Sequence, residues 1–212
     1  MKKLTFDYYS FALYASRGEN EPSLRSKRLC AGIKRGSSNI IKKAVEIIES
    51  PTQENSIFKE CLHPSVILVP APKSSPLLNN DTLWVPKLIC EELLSSGLAE
   101  SVMPLLTRTE KVPKSAWASP GERPTVQKHL ETIEAQTDML STREITIVDD
   151  VITKGSTMLA CAIKLQENYP NAQVRCFSLF RTVGFQGNID SVSEPTKGTI
   201  ELLPSGEPKR AP

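Results

Sequence analysis

Short apolar runs alternate with helical patterns along most of this chain, and that alternation restricts the folds it can adopt. Three runs have the length and composition of buried strands: 65–69, 144–148 and 174–180. A fourth run, 102–106, contains Pro104 and is predicted at a sheet edge or a kink. Helical patterns cover 38–50, 83–96, 124–140 and 156–169. The alternation predicts an α/β fold in which a mainly parallel central sheet carries helices on both faces.

Composition narrows the class of protein further. With 212 residues the chain is predicted to form one main domain, and 26 Lys and Arg against 24 Asp and Glu exclude a strongly basic nucleic-acid coat. The five cysteines are odd in number and scattered, without a C-x-x-C pair, so neither a disulfide framework nor a zinc site is expected. A reducing cytoplasm is the predicted location.

The two ends of the chain have distinct compositions. The start is basic like a secretory signal, but Asp7 and three tyrosines interrupt its apolar stretch, so no export signal is expected. No run of about 18 apolar residues occurs, and no membrane span is expected. Residues 1–24 contain five of the twelve aromatic residues, spaced with near alternation as in a strand. Residues 204–212 lack the apolar side chains that would offset ordering entropy and are predicted to form a flexible tail.

The segment 145–158 carries the clearest indication of chemistry. An apolar strand leads to Asp149 and Asp150, and then to a short loop that opens directly into a helix. The loop offers backbone N–H groups, three hydroxyls and an ammonium and contains no acid, which favours binding of a phosphate monoester. Its residues are Thr153, Lys154, Gly155, Ser156 and Thr157. Paired carboxylates can bind vicinal sugar hydroxyls or Mg²⁺, so the segment predicts a ribose 5-phosphate site. The alternative is a turn followed by an ordinary helix cap.

The sequence VDDVITKGST, residues 148–157, resembles the phosphoribosyl pyrophosphate binding motif of the type I phosphoribosyltransferases. Lys154 departs from the family pattern, which has a small or hydroxyl residue at that place. The resemblance implies a type I phosphoribosyltransferase-like domain over residues 25–203, with Asp149 and Asp150 as catalytic residues. It further implies a Mg²⁺ ion held by these two acids, largely through substrate or water. Phosphoribosyl pyrophosphate or a nucleoside monophosphate is the implied ligand.

The loop after the first buried strand is expected to complete this site. It reads VPAPKSSP over 69–76, and in the resembling family the corresponding loop holds the pyrophosphate. Lys73 is therefore predicted as a catalytic cation, with Ser74 and Ser75 as substrate ligands. A proline-rich surface turn with an incidental lysine is the alternative. The peptide before either of the first two prolines is open to the cis form.

A third segment, 106–129, is polar, basic and broken by Pro and Gly. It resembles the arginine-containing stretch of the ComF-like phosphoribosyltransferases, the competence-protein family, although this chain lacks the N-terminal zinc-binding cysteines of many such proteins. The resemblance implies that Arg108 is a catalytic cation and Arg123 a substrate ligand, both on the pyrophosphate; exposed loop cations are the alternative. ComF-like proteins also tend to have an upstream basic helix, and residues 25–43 here contain seven Lys and Arg and no acid.

These features leave two functions of different classes. The first is a Mg²⁺-dependent enzyme that transfers ribosyl 5-phosphate to a nitrogen nucleophile, with residues 1–24 forming a small hood over an acceptor that the sequence does not specify. The second is a ligand sensor or a nucleic-acid-associated accessory protein, although binding of nucleic acid by residues 25–43 is not favoured over simple solvation of helix faces. A Rossmann dinucleotide enzyme is disfavoured because no G-x-G-x-x-G follows a predicted strand. The sequence leaves the oligomeric state open, and a homodimer is among the states that it allows.

Overall fold

The structure is a computed structural model that describes residues 4–77, 83–113, 124–140, 143–184 and 187–212. The strands in these residues are β1 (Thr5–Tyr14), β2 (Ile67–Pro70), β3 (Ser101–Val102), β4 (Leu106–Arg108), β5 (Ile133–Ala135), β6 (Glu144–Ile152), β7 (Gln173–Thr182), β8 (Ser193–Leu202) and β9 (Pro208–Ala211). The α-helices are α1 (Glu21–Lys34), α2 (Ser38–Glu49), α3 (Val85–Ser95), α4 (Val126–Thr132) and α5 (Ser156–Asn168). A short 3₁₀ helix covers Glu54–Glu60.

The main sheet has seven strands in the order β3-β2-β6-β7-β1-β8-β9. The first five of these pair in parallel, and β8 and β9 add an antiparallel hairpin at one edge. Strands β4 and β5 form a separate two-stranded sheet. The predicted α/β class with a mainly parallel sheet is confirmed.

Helices cover both faces of the sheet, as predicted. One face carries α5 and α4, whose core includes Ile147, Leu159 and Cys176. The other carries α1, α2 and α3, over a core that includes Val45 and Phe177. The described helices include none that is both long enough and apolar enough to cross a membrane.

The helix predicted over 124–140 is wrong in its second half. Helix α4 ends at Thr132, and the chain continues directly into β5, which pairs antiparallel with β4. Ile133 is buried opposite Arg108 in this pairing. A β-branched residue at that place favours the extended backbone, and the partner strand is too distant in sequence for a local pattern to reveal. The run over 102–106, predicted at a sheet edge or a kink, is interrupted at Pro104, and its first part belongs to the edge strand β3, as predicted.

The N-terminal segment belongs to the main sheet, which corrects the expectation of a hood over residues 1–24. Strand β1 lies between β7 and β8, with parallel pairing on one side and antiparallel pairing on the other. Tyr8 and Tyr9 are both buried, and they join the cores on opposite faces of the sheet. Side chains at consecutive strand positions point to opposite faces of the sheet. Two consecutive aromatic residues are therefore buried only where a core covers both faces, as it does at this interior strand.

The flexible tail predicted for residues 204–212 is also wrong. Strand β9 pairs with β8, and the guanidinium of Arg210 donates hydrogen bonds to the carbonyls of Ile152 (3.2 Å) and Thr182 (2.6 Å). The same guanidinium lies 5.8 Å from the centre of the Tyr8 ring. Composition failed here because backbone pairing and one arginine anchor the segment, with little need for apolar burial.

Ser10 gives a prediction about stability. Its Oγ is buried in β1 without a hydrogen-bond partner, whereas Ser178, its register neighbour on β7, donates to the Phe180 carbonyl at 3.0 Å. An unpartnered buried hydroxyl is costly, so we expect Ser10→Ala to raise the free energy of unfolding by about 1 kcal/mol. Ser178→Ala, at an equally buried position, should lower it by about 1 kcal/mol. Urea unfolding of both variants checks this; equal losses in the two would contradict it.

Candidate functional site

The two predicted acids lie within β6, which continues four residues beyond its expected end. Val151 and Ile152 pair with β7, so the strand ends at Ile152 instead of before Asp149. Asp149 accepts a hydrogen bond from the backbone N–H of Asp150 at 2.8 Å, and Asp150 accepts one from Val151 at 2.8 Å. Each carboxylate is therefore oriented by the backbone of the next residue and keeps a second oxygen for other partners.

The acids differ in their surroundings. Lys34, in the last turn of α1, lies with its Nζ 3.0 Å from Oδ2 of Asp150. Burial, the largest single effect, lowers the pKa of Lys34, but the charge and hydrogen bond of Asp150, with smaller contributions from Cys30 and Asp149, together outweigh it, so the pKa is raised. Burial and then repulsion from Asp150 raise the pKa of Asp149 well above its ordinary range. Asp150 is thus a carboxylate paired with a lysine, whereas Asp149 favours its own protonated form.

The predicted phosphate loop leads from β6 into α5. Gly155 has a φ of 92°, a backbone conformation that favours glycine, and a Cβ at this position would lie 3.0 Å from Cγ2 of the buried Ile200. Helix α5 begins at the next residue, and the N–H groups of its first turn have no partner within the helix. Thr153, Ser156 and Thr157 are half-buried around this turn. Strand, loop, left-handed glycine and helix thus follow one another in the order that the sequence predicted.

The second predicted loop lies beside the first because β2 and β6 are neighbours in the sheet. The N–H of Ala71 donates to the Val148 carbonyl at 2.9 Å, immediately before the two acids. The indole of Trp84, the residue before α3, donates to the Ala71 carbonyl at 2.8 Å. Lys73, Ser74 and Ser75 follow and are half-buried.

The peptides before Pro70 and Pro72 are both trans, so the cis form left open by the sequence is not adopted. The predicted ligand Arg123 lies outside the described residues.

Arg108 is predicted to contact pyrophosphate, but the structure places it in the protein interior. It is only 6% exposed, and its Nε donates to the Lys73 carbonyl at 3.1 Å. Its Nη1 donates to Oγ1 of Thr132 at 2.7 Å, and its Nη2 lies 3.2 Å from Nδ1 of His129. The guanidinium supports the backbone of the Lys73 loop from behind. Three of its five N–H donors serve protein acceptors in the interior, which disfavours the role of a cation that contacts the leaving group directly.

His129 is a site residue that the sequence reasoning missed. It is 2% exposed, on the inner face of α4, and its Nε2 lies 3.2 Å from Oγ1 of Thr157 in the phosphate loop. Burial, followed by the charge of Arg108, lowers the pKa of His129 from 6.5 to about 4, so the ring is neutral at physiological pH. The available signal was the spacing of three that places Val126, His129 and Thr132 on one face of a short helix.

The basic stretch 25–43 occupies α1 and α2, and it contributes Lys34 to the site. Arg35, Lys42 and Lys43 are exposed in the same stretch. The sequence assigned Lys34 only to this charged surface. Its pairing with Asp150 is long-range, between residues 116 positions apart, and no local pattern predicts it.

The side chains of the site fit a magnesium ion only if substrate or water supplies most of its ligands, as the resemblance implies. Within the described residues, no three or more His, Cys, Asp or Glu side chains are grouped so that they could hold a metal ion by themselves. Mg²⁺ is commonly bound through one or two carboxylates together with water and substrate oxygens, and Asp149 and Asp150 supply that number.

No protein-family model matches the chain, and no curated protein matches its sequence.

Proposed function

We propose that this protein is a phosphoribosyltransferase of the type I kind, related in organisation to the ComF-like proteins, that transfers ribosyl 5-phosphate to a nitrogen nucleophile and releases pyrophosphate. The observation that carries the proposal is the continuity of strand β6, the acids Asp149 and Asp150, the left-handed Gly155 and the N-terminus of α5. The Lys73 loop lies on the neighbouring strand. Residues 153–157, the two acids and the Lys73 loop thus lie at the carboxyl ends of two neighbouring strands, where we propose that they bind a phosphate, a diol and a pyrophosphate.

In the proposed reaction the bond between the anomeric carbon and the pyrophosphate oxygen breaks, and a bond from the acceptor nitrogen forms. The N–H groups and hydroxyls of residues 153–157 anchor the 5-phosphate, while Asp149 and Asp150 orient the ribose hydroxyls. Lys73, Ser74 and Ser75 stabilise the departing pyrophosphate. One of these two carboxylates takes up the proton of the acceptor nitrogen.

Mg²⁺ held by Asp149 and Asp150 through the sugar hydroxyls or water would supply neutralisation of charge on the leaving pyrophosphate. We place the protein in the cytoplasm, where its five buried, unpaired cysteines would stay reduced.

Titration calorimetry with phosphoribosyl pyrophosphate, with and without Mg²⁺, tests the proposal. We expect binding that is tighter with Mg²⁺, followed by pyrophosphate release when the correct acceptor is included in a screen of nitrogenous bases and ammonia. The proposal is wrong if neither phosphoribosyl pyrophosphate, ribose 5-phosphate nor a nucleoside monophosphate binds.

A second function, a nucleotide-sensing or nucleic-acid-associated accessory protein, is favoured by one observation. Helix α1, which carries much of the basic stretch 25–43, ends at Lys34, and Lys34 contacts Asp150. The charged surface is therefore continuous with the proposed ligand site. If this surface binds nucleic acid, affinity should fall steeply with salt, and Gln at Arg35, Lys42 and Lys43 should flatten the slope. We expect little binding; submicromolar binding at physiological salt that this triple variant loses would favour the accessory function over the enzyme.

Lys154 provides a prediction about the phosphate loop. The residue is exposed, whereas Gly155 beside it is buried. We therefore expect Lys154→Ala to change the affinity for ribose 5-phosphate by less than about threefold, because backbone N–H groups and hydroxyls satisfy the phosphate. Calorimetric titration of the variant checks this. A loss of more than about tenfold, which corresponds to about 1.4 kcal/mol, would make Lys154 a direct ligand.

A further inference from the structure

A chain of hydrogen bonds runs through the protein interior between the two loops of the proposed site. The Lys73 carbonyl accepts from Nε of Arg108 at 3.1 Å, and Nη2 of Arg108 lies 3.2 Å from Nδ1 of His129. Nε2 of His129 lies 3.2 Å from Oγ1 of Thr157. We call Arg108, His129 and Thr157 the histidine relay. Three different elements, β4, α4 and α5, supply its members.

The chemistry of the groups fixes the direction of each hydrogen bond. A guanidinium can only donate, so Nδ1 of His129 accepts from Arg108. The neutral ring must then carry its proton on Nε2, and it donates that proton to Oγ1 of Thr157. The hydroxyl proton of Thr157 is left to donate to another acceptor, such as the phosphate of the proposed function. All donors in the relay therefore point from Arg108 toward Thr157.

The position of Arg108 is itself strongly constrained. Its Nη1 donates to Oγ1 of Thr132 at 2.7 Å, and the Thr132 hydroxyl in turn donates to the Lys128 carbonyl at 2.8 Å. Thr132 is fully buried. A displacement of His129 thus has few ways to relax except through Arg108 and the Lys73 carbonyl that it holds.

We propose that His129 is a positioning residue that couples the phosphate loop to the Lys73 loop, so that an anion bound at Thr157 favours binding of a second anion at residues 71–75. When Thr157 donates to a phosphate, its oxygen becomes a better acceptor for His129, and the ordered relay fixes the position of the Arg108 guanidinium that holds the Lys73 carbonyl. By linkage, the second anion must strengthen binding of the first by the same factor. The identity of the two anions rests on the proposed function; the mechanical link between the loops does not.

The ligand test measures the Kd of pyrophosphate with Mg²⁺ in the absence and presence of saturating ribose 5-phosphate. We expect about a fivefold or larger tightening in the wild type. His129→Leu should bring that factor close to one, whereas His129→Gln, which keeps one acceptor and one donor, should retain most of it. Gln127→Ala on the exposed side of α4 is the matched control and should behave as the wild type. Equal coupling in the wild type and His129→Leu would overturn the proposal.

A second measurement needs no ligand and separates this inference from the proposed function. Hydrogen exchange is followed at the amides of Ala71, Lys73, Ser74 and Ser75 in Thr157→Val, with Ser156→Ala as the control for loss of a hydroxyl outside the relay. We expect exchange at these amides to be severalfold faster in Thr157→Val only.

Faster exchange without any binding of the two anions would uphold the relay and refute the phosphoribosyltransferase proposal. Binding of both anions with unchanged exchange and no coupling would refute the relay and support the phosphoribosyltransferase proposal.

Discussion

Gly155→Val is expected to abolish binding of ribose 5-phosphate and to destabilise the fold. The φ of 92° at this position is unfavourable for a β-branched residue. The Cβ of the new valine would also lie only 3.0 Å from Cγ2 of Ile200. Together these effects should lower the free energy of unfolding by roughly 2–3 kcal/mol. The side chain would also disturb the N–H groups that the proposed phosphate needs. Titration calorimetry and urea unfolding measure the two effects.

Gly97→Val is the matched control for Gly155→Val. Gly97 also has a positive φ, 73°, at the end of α3, but a Cβ there meets nothing within 4 Å. Its substitution should cost stability from the backbone alone and leave affinity for ribose 5-phosphate unchanged. If Gly155→Val binds the monophosphate as well as Gly97→Val does, residues 153–157 are not a phosphate site.

The free energy of unfolding is expected to fall as the pH drops from about 6.5 toward about 4, in part because of His129. The folded protein lowers the pKa of this residue, so the unfolded chain takes up a proton that the folded chain resists. Stability from this source is therefore complete above the unfolded pKa and is lost as the pH falls. The difference between 6.5 and about 4 corresponds to about 3 kcal/mol, since each tenfold change in proton affinity is worth about 1.4 kcal/mol.

The variant His129→Gln isolates this contribution, because it keeps a donor and an acceptor but cannot take up a proton in this range. Urea unfolding at about pH 7.5 and about pH 4.5 should show a loss that is larger in the wild type by about 2–3 kcal/mol. All other titrating groups, Asp149 included, are common to both proteins and cancel in the comparison. Identical pH profiles in the two proteins would show that His129 titrates freely and that its burial beside Arg108 is incorrect.

The sequence predicted the central part of the fold because its signals are local. The strand β6, the glycine at the left-handed position and the helix α5 follow one another along the chain, and each is specified by neighbours a few residues away. The order of the two acids, Gly155 and helix α5 was accordingly predicted from one continuous segment, although the strand ends at Ile152 and not before Asp149.

The remaining parts depend on pairing between distant residues, and sequence patterns did not predict them. Strand β1 is interior only because β7 and β8, more than 160 positions later, take up its two edges. The same holds for Lys34 at Asp150 and for His129 at Thr157, where each side chain reads locally as an ordinary helix residue. Arg108 looked like a free loop cation because nothing near it in sequence reveals Thr132 and His129 as its partners.

The double variant Asp149→Asn/Asp150→Asn tests the central claim most directly. Asn has nearly the shape of Asp and keeps an oxygen that can accept the hydrogen bond from the backbone N–H of the next residue. Lys34 loses its partner, but its side chain is 41% exposed to solvent. We therefore expect a melting temperature close to that of the wild type and at least a tenfold loss of affinity for phosphoribosyl pyrophosphate with Mg²⁺. A native melting temperature together with unchanged affinity would show that these two acids do not bind the ribose or its metal ion, and would contradict the account of the site.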